Sequence, residues 1–177
     1  MTFFDFCACI GGMSLGLEAA GMTCIGQVEK DPWRRMILEK HWPHVPKWGD
    51  IYDFDPAQAI GATLIAGGYP CQPFSLTGKR KGAQDVRHIW PRLFQIMQVA
   101  RPAWGLFENV VGHVSMGIDT VLADLENIGY TAQPFIVPAC AVEAKHIRSR
   151  VWILAYTSSN HCEGGADCIP GKEPKIH

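Results

Sequence analysis

Short apolar runs alternate with segments of helical periodicity along most of this chain, and this alternation constrains its fold more than any other feature. Residues 2–7, 23–28 and 62–66 have the composition of buried strands, and helix-period segments or loops separate them. Strands that alternate with helices form a mostly parallel sheet, because each helix returns the chain to the end of the sheet at which the preceding strand began. The sequence therefore predicts an α/β fold with a doubly wound, Rossmann-like sheet.

The other predicted elements follow the same pattern. On the helix that starts at Asp31-Pro32, the residues Trp33, Met36 and Ile37 are predicted to lie on one face. The last two strands have no helix between them, so one of them is predicted to be antiparallel. The remaining predicted elements are helices at 13–20, 93–100 and 118–128 and strands at 47–48, 104–107, 133–137 and 151–156.

Composition excludes several classes of protein. Apolar residues make up 47% of the 177 residues and charged residues 19%, which is typical of a globular protein. The formal net charge of −1 gives no electrostatic sign of nucleic-acid binding. No secretory or membrane-spanning segment is visible, and the seven cysteines do not have the spacing of a disulfide framework. We therefore expect a soluble, cytoplasmic protein. We also expect no metal site. We expect one domain at 1–156 and a polar tail at 157–177.

The first strand, the pair Gly11-Gly12 and the helix after it have the plan of an adenosine-cofactor site. Glu29, at the end of the second strand, would accept hydrogen bonds from ribose hydroxyls. The segment lacks the G-x-G-x-x-G pattern that binds pyrophosphate, which favours S-adenosylmethionine over a nicotinamide dinucleotide. The alternative is that the glycines form a plain turn.

Cys71 follows the strand at 62–66 and stands between Pro70 and Pro73, which stiffen its loop. We interpret Cys71 as a nucleophile, although a loop cysteine is more often a small buried hydrophobic residue. Basic residues after it would favour a thiolate and bind phosphates, the alternative being a solvated surface loop. These basic residues are Lys79, Arg80, Lys81 and Arg87.

Further polar residues lie beside two later strands. Glu108 directly follows the strand at 104–107, where it would act as a proton donor, the alternative being a helix N-terminal glutamate. Arg148 and Arg150 precede the last strand, a position also typical of surface ion pairs. Because the carboxyl ends of parallel strands meet at one edge, we expect the clusters near Gly11, Cys71 and Glu108 to form one cleft.

Several motifs, in this order and at this spacing, resemble those of the cytosine-C5 DNA methyltransferase family. They include residues 4–18 and Gly68-Tyr69-Pro70-Cys71-Gln72-Pro73-Phe74-Ser75. Glu108-Asn109-Val110 is similar to the family's Glu-Asn-Val, and Arg148-Ser149-Arg150 to its Arg-x-Arg. The resemblance covers residues 3–156 and implies the fold of class I S-adenosylmethionine-dependent methyltransferases.

The resemblance also implies a reaction. The Cys71 thiolate would add to C6 of a cytosine flipped out of duplex DNA. Glu108 would hydrogen-bond to or protonate N3, and would hydrogen-bond to the amino group of the base. C5 would then accept a methyl group from S-adenosylmethionine, and Arg150, assisted by Arg148, would hold O2 of the base.

Cofactor contacts are likewise implied by motif position. Cys7 and Cys9 depart from the family, which has an aromatic residue and a glycine there, and we expect these changes to weaken cofactor binding. The implied contacts are Ile10, Gly11 and Gly12 to the cofactor, Glu29 to the ribose, Asp50 and Ile51 to the adenine, and Gly68 and Pro70 to the methionine end.

Family members continue beyond the Arg-x-Arg strand into a target-recognition region and a final motif, whereas residues 157–177 are polar. One hypothesis is the catalytic half of a methyltransferase, either as a fragment of a longer protein or as one part of a split enzyme whose second polypeptide supplies target recognition and the final motif. The others are a truncated inactive relic, a non-catalytic binding module, and an RNA cytosine methyltransferase.

Overall fold

In the computed structural model, which describes residues 1–69, 89–115 and 117–157, a seven-stranded sheet has helices on both faces. The strand order is β3-β2-β1-β4-β5-β7-β6. The strands are β1 (Thr2–Phe6), β2 (Thr23–Val28), β3 (Lys47–Trp48), β4 (Leu64–Gly68), β5 (Trp104–Val110), β6 (Tyr130–Pro138) and β7 (Ser149–Thr157). The helices are α1 (Gly12–Ala19), α2 (Pro32–His41), α3 (Trp90–Ala100) and α4 (Ile118–Asn127).

The direction of the strands agrees with the sequence prediction. β1 to β5 pair in parallel, whereas β7 is antiparallel to both of its neighbours, β5 and β6. The doubly wound, mostly parallel sheet with an antiparallel strand near its end is therefore confirmed. None of the helices in the described ranges combines the length and apolar character needed to cross a membrane.

Each face of the sheet has its own apolar cluster. On one face, α3 and α4 bury side chains such as Met97 and Leu125 against Phe107 of β5. On the other face, Leu17 of α1 lies against Leu64 and neighbouring residues of the sheet. The alternation of strand side chains between two buried faces explains why the strands read as apolar runs.

α2 begins as predicted and buries little of its apolar surface. The Asp31 side chain accepts a hydrogen bond from Arg34 N at 3.0 Å, and Pro32 occupies the first turn. Trp33 and Met36, which were predicted to share an apolar face, are 65% and 67% exposed. Leu38 is the buried residue of this helix. Leu38 lies near Gly11, so its burial follows from packing against the turn before α1.

The carboxyl ends of the parallel strands meet at one edge, as predicted. Phe6 of β1 is paired with Gly67, and Gly68 of β4 is paired with Glu108. β5 continues to Val110, so Glu108 lies inside a strand. The alternative that Glu108 starts a helix is therefore wrong.

We expect opposite effects from adding a methyl group at two glycines. A Cβ at Gly26 would lie 2.1 Å from the ring of Phe4, which packs between Phe6 and Phe54 and has no room to move. Gly26→Ala should therefore lower the free energy of unfolding by about 3 kcal/mol. Gly16→Ala, in α1 with no atom within 4 Å of the added carbon, should raise it by about 0.5–1 kcal/mol.

Urea denaturation of the two variants and the wild type measures both changes. Equal effects of the two substitutions would contradict the packing of Phe4 against β2.

Candidate active site

Two adjoining cavities form a cleft at the carboxyl edge of the sheet, with volumes of about 340 and 370 Å³. Cys7, Cys9 and Gly68 line both of them, so the two cavities are halves of one cleft. The first half is also lined by Val28, Glu29, Lys30, Arg34, Gly49, Asp50, Ile51 and Ile89. The second half is also lined by Asp5, Ala8, Ile10, Gly12, Met13, Glu108 and Trp152.

The turn between β1 and α1 forms the floor of the cleft. Cys7, Cys9 and Gly11 all have left-handed backbone, with φ of 57°, 53° and 91°. A Cβ at Gly11 would lie 2.2 Å from the Trp42 ring, so both the φ angle and the space require glycine there. Gly11 is not among the residues that line the two cavities; it shapes the turn from which they open.

The departures from the family lie on this floor. Cysteine at position 9 adopts a conformation that costs a non-glycine residue about 1–2 kcal/mol, which explains why the family favours glycine there. Cys7 lines both halves of the cleft. Burial, followed by the negative charges of Glu29 and Asp5, raises the pKa of the Cys7 thiol to about 12. Cys7 therefore stays a neutral thiol and is not a nucleophile at neutral pH.

Glu29 closes the turn from the neighbouring strand. Its side chain is 6% exposed and accepts hydrogen bonds from Cys9 N at 2.8 Å and Asp31 N at 2.9 Å. Arg34 lies 3.7 Å from the same carboxylate. A carboxylate oxygen has two acceptor sites, so each oxygen of Glu29 retains one for a hydroxyl in the cleft.

Asp50 and Ile51 form a wall of the same half of the cleft as Glu29. Asp50 makes an ion pair with Lys30 at 2.7 Å, and its other oxygen accepts a hydrogen bond from Tyr52 N at 3.1 Å. The hydrogen bond from Lys30 holds the pKa of Asp50 below its usual range. Ile51 is buried and gives this wall an apolar surface, as a flat aromatic ligand requires.

Glu108 and Arg150 meet at the other end of the cleft. Arg150 Nε lies 2.7 Å from Glu108 Oε1, and both side chains are about one quarter exposed, at 23% and 25%. A Cβ at Gly68 would lie 3.4 Å from Glu108 Oε2, so the glycine keeps open the space beside this carboxylate. Arg148 is exposed and precedes β7. The structure thus brings Arg150, from the last strand, to Glu108.

Asn109 anchors the end of β4, a role that its place in the Glu-Asn-Val motif did not reveal. Its side chain is buried and its Nδ2 donates a hydrogen bond to Tyr69 O at 3.1 Å. Tyr69 is also buried, and its hydroxyl lies 2.9 Å from His113 Nε2. These contacts fix the backbone immediately before Pro70-Cys71.

Asp5 is a cleft residue that the sequence analysis missed. It is 1% exposed, and its Oδ2 accepts hydrogen bonds from Ser14 N at 3.1 Å and from Ser14 Oγ at 2.6 Å. Gln27 Nε2 donates to the same hydroxyl at 2.9 Å. Asp5 Oδ1 is buried without a hydrogen-bond partner among the described residues. An acidic residue inside an apolar strand, before a glycine turn, was the available signal.

Several predicted site residues lie outside the described residues. They remain predictions from the sequence, and their sequence neighbours Tyr69 and Ile89 are the nearest described points. These residues are Pro70, Cys71, Lys79, Arg80, Lys81 and Arg87.

The family model described as C-5 cytosine-specific DNA methylase matches residues 1–176. The chain belongs to this family. Its members depend on S-adenosylmethionine. The match spans almost the whole chain, so it includes both halves of the cleft.

Individual relatives agree with the family. The chain is 30% identical to the type II methyltransferase M.HgiCII of Herpetosiphon aurantiacus, over 86% of this chain and 36% of the relative. It is 34% identical to M.NaeI of Lentzea aerocolonigenes, over 85% of this chain and 38% of the relative. It is 30% identical to M.HaeII of Haemophilus aegyptius, over 90% of this chain and 51% of the relative. The chain thus spans between a third and a half of the length of these curated relatives.

Solved structures share the fold. The Dnmt2 methyltransferase of S. pombe superposes with a TM-score of 0.76 at 22% identity, covering 89% of this chain and 51% of that one. A putative DNA modification methyltransferase encoded within an E. coli prophage superposes with a TM-score of 0.77 at 23% identity, covering 90% of this chain and 47% of that one. These structures extend beyond the part that this chain matches.

We expect the stability of the chain to depend on the ionisation of Asp5. Burial raises the pKa of its carboxyl from 3.8 to about 6, against the smaller opposing effect of the Ser14 hydrogen bonds. The stabilising contribution is therefore fully present below about pH 4 and is lost as the pH rises through about 6. A pKa shift of this size corresponds to about 3 kcal/mol in the free energy of unfolding. Asp5→Asn should remove this contribution from the pH dependence of the stability.

Chemical denaturation of both proteins at pH 4, 5, 6 and 7 measures this contribution. Glu126→Gln removes an exposed carboxyl of α4 and is the matched control. A difference between Asp5→Asn and wild type that stays constant across these pH values would contradict the raised pKa.

Proposed function

We propose that this chain is the catalytic part of a DNA cytosine-C5 methyltransferase that acts on a flipped-out cytosine through a covalent Cys71 adduct. The observation that carries the proposal is the Glu108 and Arg150 pair at the end of the cleft, 2.7 Å apart. The Glu108 carboxyl in its protonated form can donate a hydrogen bond to N3 of a cytosine ring, and the Arg150 guanidinium can donate to O2. The likeness to type II methyltransferases supports DNA as the substrate and the bacterial or phage-infected cytoplasm as its location.

The cleft fits S-adenosylmethionine in its chemistry. Glu29 offers free acceptor sites, as ribose hydroxyls require, and Asp50 and Ile51 offer a polar and an apolar contact for adenine. In the other half, the buried and unpartnered Oδ1 of Asp5 is an acceptor near Ile10 and Gly12. The second half is lined by the carboxyl groups of Asp5 and Glu108 and by no lysine or arginine of the described residues, which suits a ligand that carries a sulfonium and an ammonium charge.

The proposed reaction breaks and restores the aromaticity of the base. The Cys71 thiolate forms a bond to C6 while Glu108, which must be protonated for this step, donates a hydrogen bond or its proton to N3, so that electron density moves to C5. A proton transferred to N3 returns to Glu108 when the ring is restored. S-adenosylmethionine, when bound, would supply an electrophilic methyl group: C5 would form a bond to the methyl carbon as the S–CH3 bond breaks, and S-adenosylhomocysteine would be the leaving group. Loss of the C5 proton to a base and of the Cys71 thiolate from C6 then restores the ring.

The chain contributes rigidity to this reaction. Asn109 and the Tyr69 hydroxyl hold the end of β4, two residues before Cys71 in the sequence. Arg150 orients Glu108 through a charge-assisted hydrogen bond, which keeps the carboxylate beside the open space at Gly68. Positioning of this kind supplies a large part of catalysis when both reacting groups are held in place.

We also propose that basic residues after Cys71 bind DNA phosphates. The support is their sequence: four basic residues within a short polar segment of a chain whose overall charge is −1. A steep decrease of DNA affinity with salt, reduced when these residues are neutralised, is expected. The residues are Lys79, Arg80, Lys81 and Arg87.

A second polypeptide that supplies target recognition and the final motif is the partner that we propose. The chain spans about a third to a half of its curated relatives, and its α1-side sheet face carries an apolar groove of about 240 Å³. Residues 158–177 contain Ile169 and Ile176 but are otherwise mostly small or polar, which argues against them as the occupant. The groove is lined by Met1, Leu17, Met22, Leu64, Trp104, Leu106 and Leu154.

Cys71→Ser should abolish methyl transfer from labelled S-adenosylmethionine to duplex DNA. A serine hydroxyl is a far weaker nucleophile than a thiolate, so we expect the rate to fall by roughly 10³-fold or more. Cys140→Ser, at an exposed cysteine of a short 3-10 helix, is the matched control and should keep the wild-type rate.

Equal incorporation by Cys71→Ser and wild type would overturn the nucleophile. Competition between duplex DNA and tRNA in the same assay separates the DNA enzyme from an RNA enzyme. Absence of transfer by the wild type, with and without the partner, would indicate the inactive relic.

Leu106→Lys in the groove should weaken the complex with the partner polypeptide, produced from a neighbouring reading frame that carries the final motif. A buried charge at an apolar interface should raise Kd by about tenfold or more. Met36→Lys, on the exposed face of α2, should leave Kd unchanged. Calorimetric titration measures Kd, and circular dichroism confirms that each variant is folded.

Full methyl transfer by this chain alone would contradict the need for a partner. Equal affinity of Leu106→Lys and wild type would contradict the groove as its docking surface.

A further inference from the structure

Arg92, in the first turn of α3, hydrogen-bonds to the backbone of the segment that follows the cleft wall. Its Nε donates to Ile51 O at 3.0 Å, and one of its Nη atoms donates to Phe54 O at 2.5 Å and to Tyr52 O at 3.3 Å. The other Nη donates to Gln95 Oε1 at 2.5 Å, which orients the guanidinium on its own helix. Arg92 therefore joins α3 to this segment at several points.

The segment needs such a donor. Residues 51–54 lie outside the strands and regular helices, so their carbonyl oxygens must find partners elsewhere. A planar guanidinium supplies several donors in a fixed arrangement, and hydrogen bonds from a charged donor are stronger than neutral ones. The same turn is held from its other side by Asp50, which accepts hydrogen bonds from Tyr52 N and Asp53 N.

The segment also determines where the cleft wall lies. Asp50 and Ile51 line the cleft, and Phe54 is buried against Phe4 and Phe6 in the core. A shift of the turn would move the wall relative to Glu29, which is fixed independently by β2 and its backbone hydrogen bonds.

We propose that Arg92 is a positioning residue of the cofactor site: its guanidinium sets the backbone of residues 51–54 and thereby places Asp50 and Ile51 in the cleft wall. The role rests on the proposed cofactor site and extends it to a side chain that does not line the cleft. Ile89, three residues earlier, lines the same cavity. The start of α3 thus supplies both a residue that lines the cavity and the residue that holds the wall formed by Asp50 and Ile51.

Calorimetric titration of the 177-residue chain with S-adenosylhomocysteine tests this role without any catalytic step. We expect Arg92→Leu to raise Kd by about tenfold, because displacing a wall by a fraction of an ångström loses contacts on a flat ligand. Arg92→Lys should give an intermediate Kd, since one ammonium reaches fewer carbonyl oxygens. Arg101→Leu is the matched control and should change Kd by less than about twofold.

Arg101 suits this comparison because it lies at the other end of the same helix. Its Nη1 donates to Ile128 O at 2.8 Å, so its removal also loses a bond between an arginine and a distant carbonyl. A general loss of stability would thus affect both arginine variants, whereas a loss of cofactor positioning would affect Arg92 alone. Each titration is made well below the Tm of the variant.

Amide hydrogen exchange of Tyr52 and Asp53 is the second measurement. These N–H groups bond to Asp50, and we expect them to exchange faster in Arg92→Leu but at the wild-type rate in Arg101→Leu. Binding by the wild type with equal Kd in every variant would overturn the positioning role alone. Absence of binding by the wild type would overturn the cofactor site and this role with it.

Discussion

Hydrogen bonds from the backbone to two buried carboxylates hold the turn between β1 and α1, and the cleft depends on that turn. Asp5 accepts from Ser14 N at the start of α1, and Glu29 accepts from Cys9 N inside the turn. The left-handed backbone at Cys7 and Cys9 costs free energy that these charge-assisted hydrogen bonds offset. Because Glu29 follows β2, the turn keeps this shape only while β1 and β2 are paired in register.

The same carboxylates give the cleft its electrostatic character. Asp5, Glu29, Asp50 and Glu108 bring acidic groups into a space where water is partly excluded. Burial raises the pKa of Asp5 to about 6, so some of this charge is held at a cost in stability. Such a cost is typical of a binding site, and a positively charged ligand would reduce it. The Cys7 thiol stays neutral in this field, which separates it chemically from the proposed nucleophile.

Much of the architecture could be predicted from local sequence. Period-2 and helix-period patterns, the Asp31-Pro32 start of α2 and the absence of a helix before β7 gave the strand directions correctly. Which apolar residue of α2 is buried could not be predicted from the sequence, since Trp33, Met36 and Leu38 are all apolar residues of one helix. Their exposure depends on where α2 lies relative to Gly11, and that is a long-range contact. The end of β5 was likewise set by its pairing with β7, which extends through Glu108 to Val110.

The sequence by itself determined the family, the α/β sheet and the motif residues Gly11, Glu29, Gly68 and Glu108 that the fold places along one cleft or its turn. It could do so because strand ends and glycine turns are encoded by a few neighbouring residues. Only the tertiary structure decided that Asp5 holds α1, that Asn109 anchors β4 and that Arg150 reaches Glu108. Side chains of this kind have no local signature, because their partners lie on elements that only folding brings into hydrogen-bond distance.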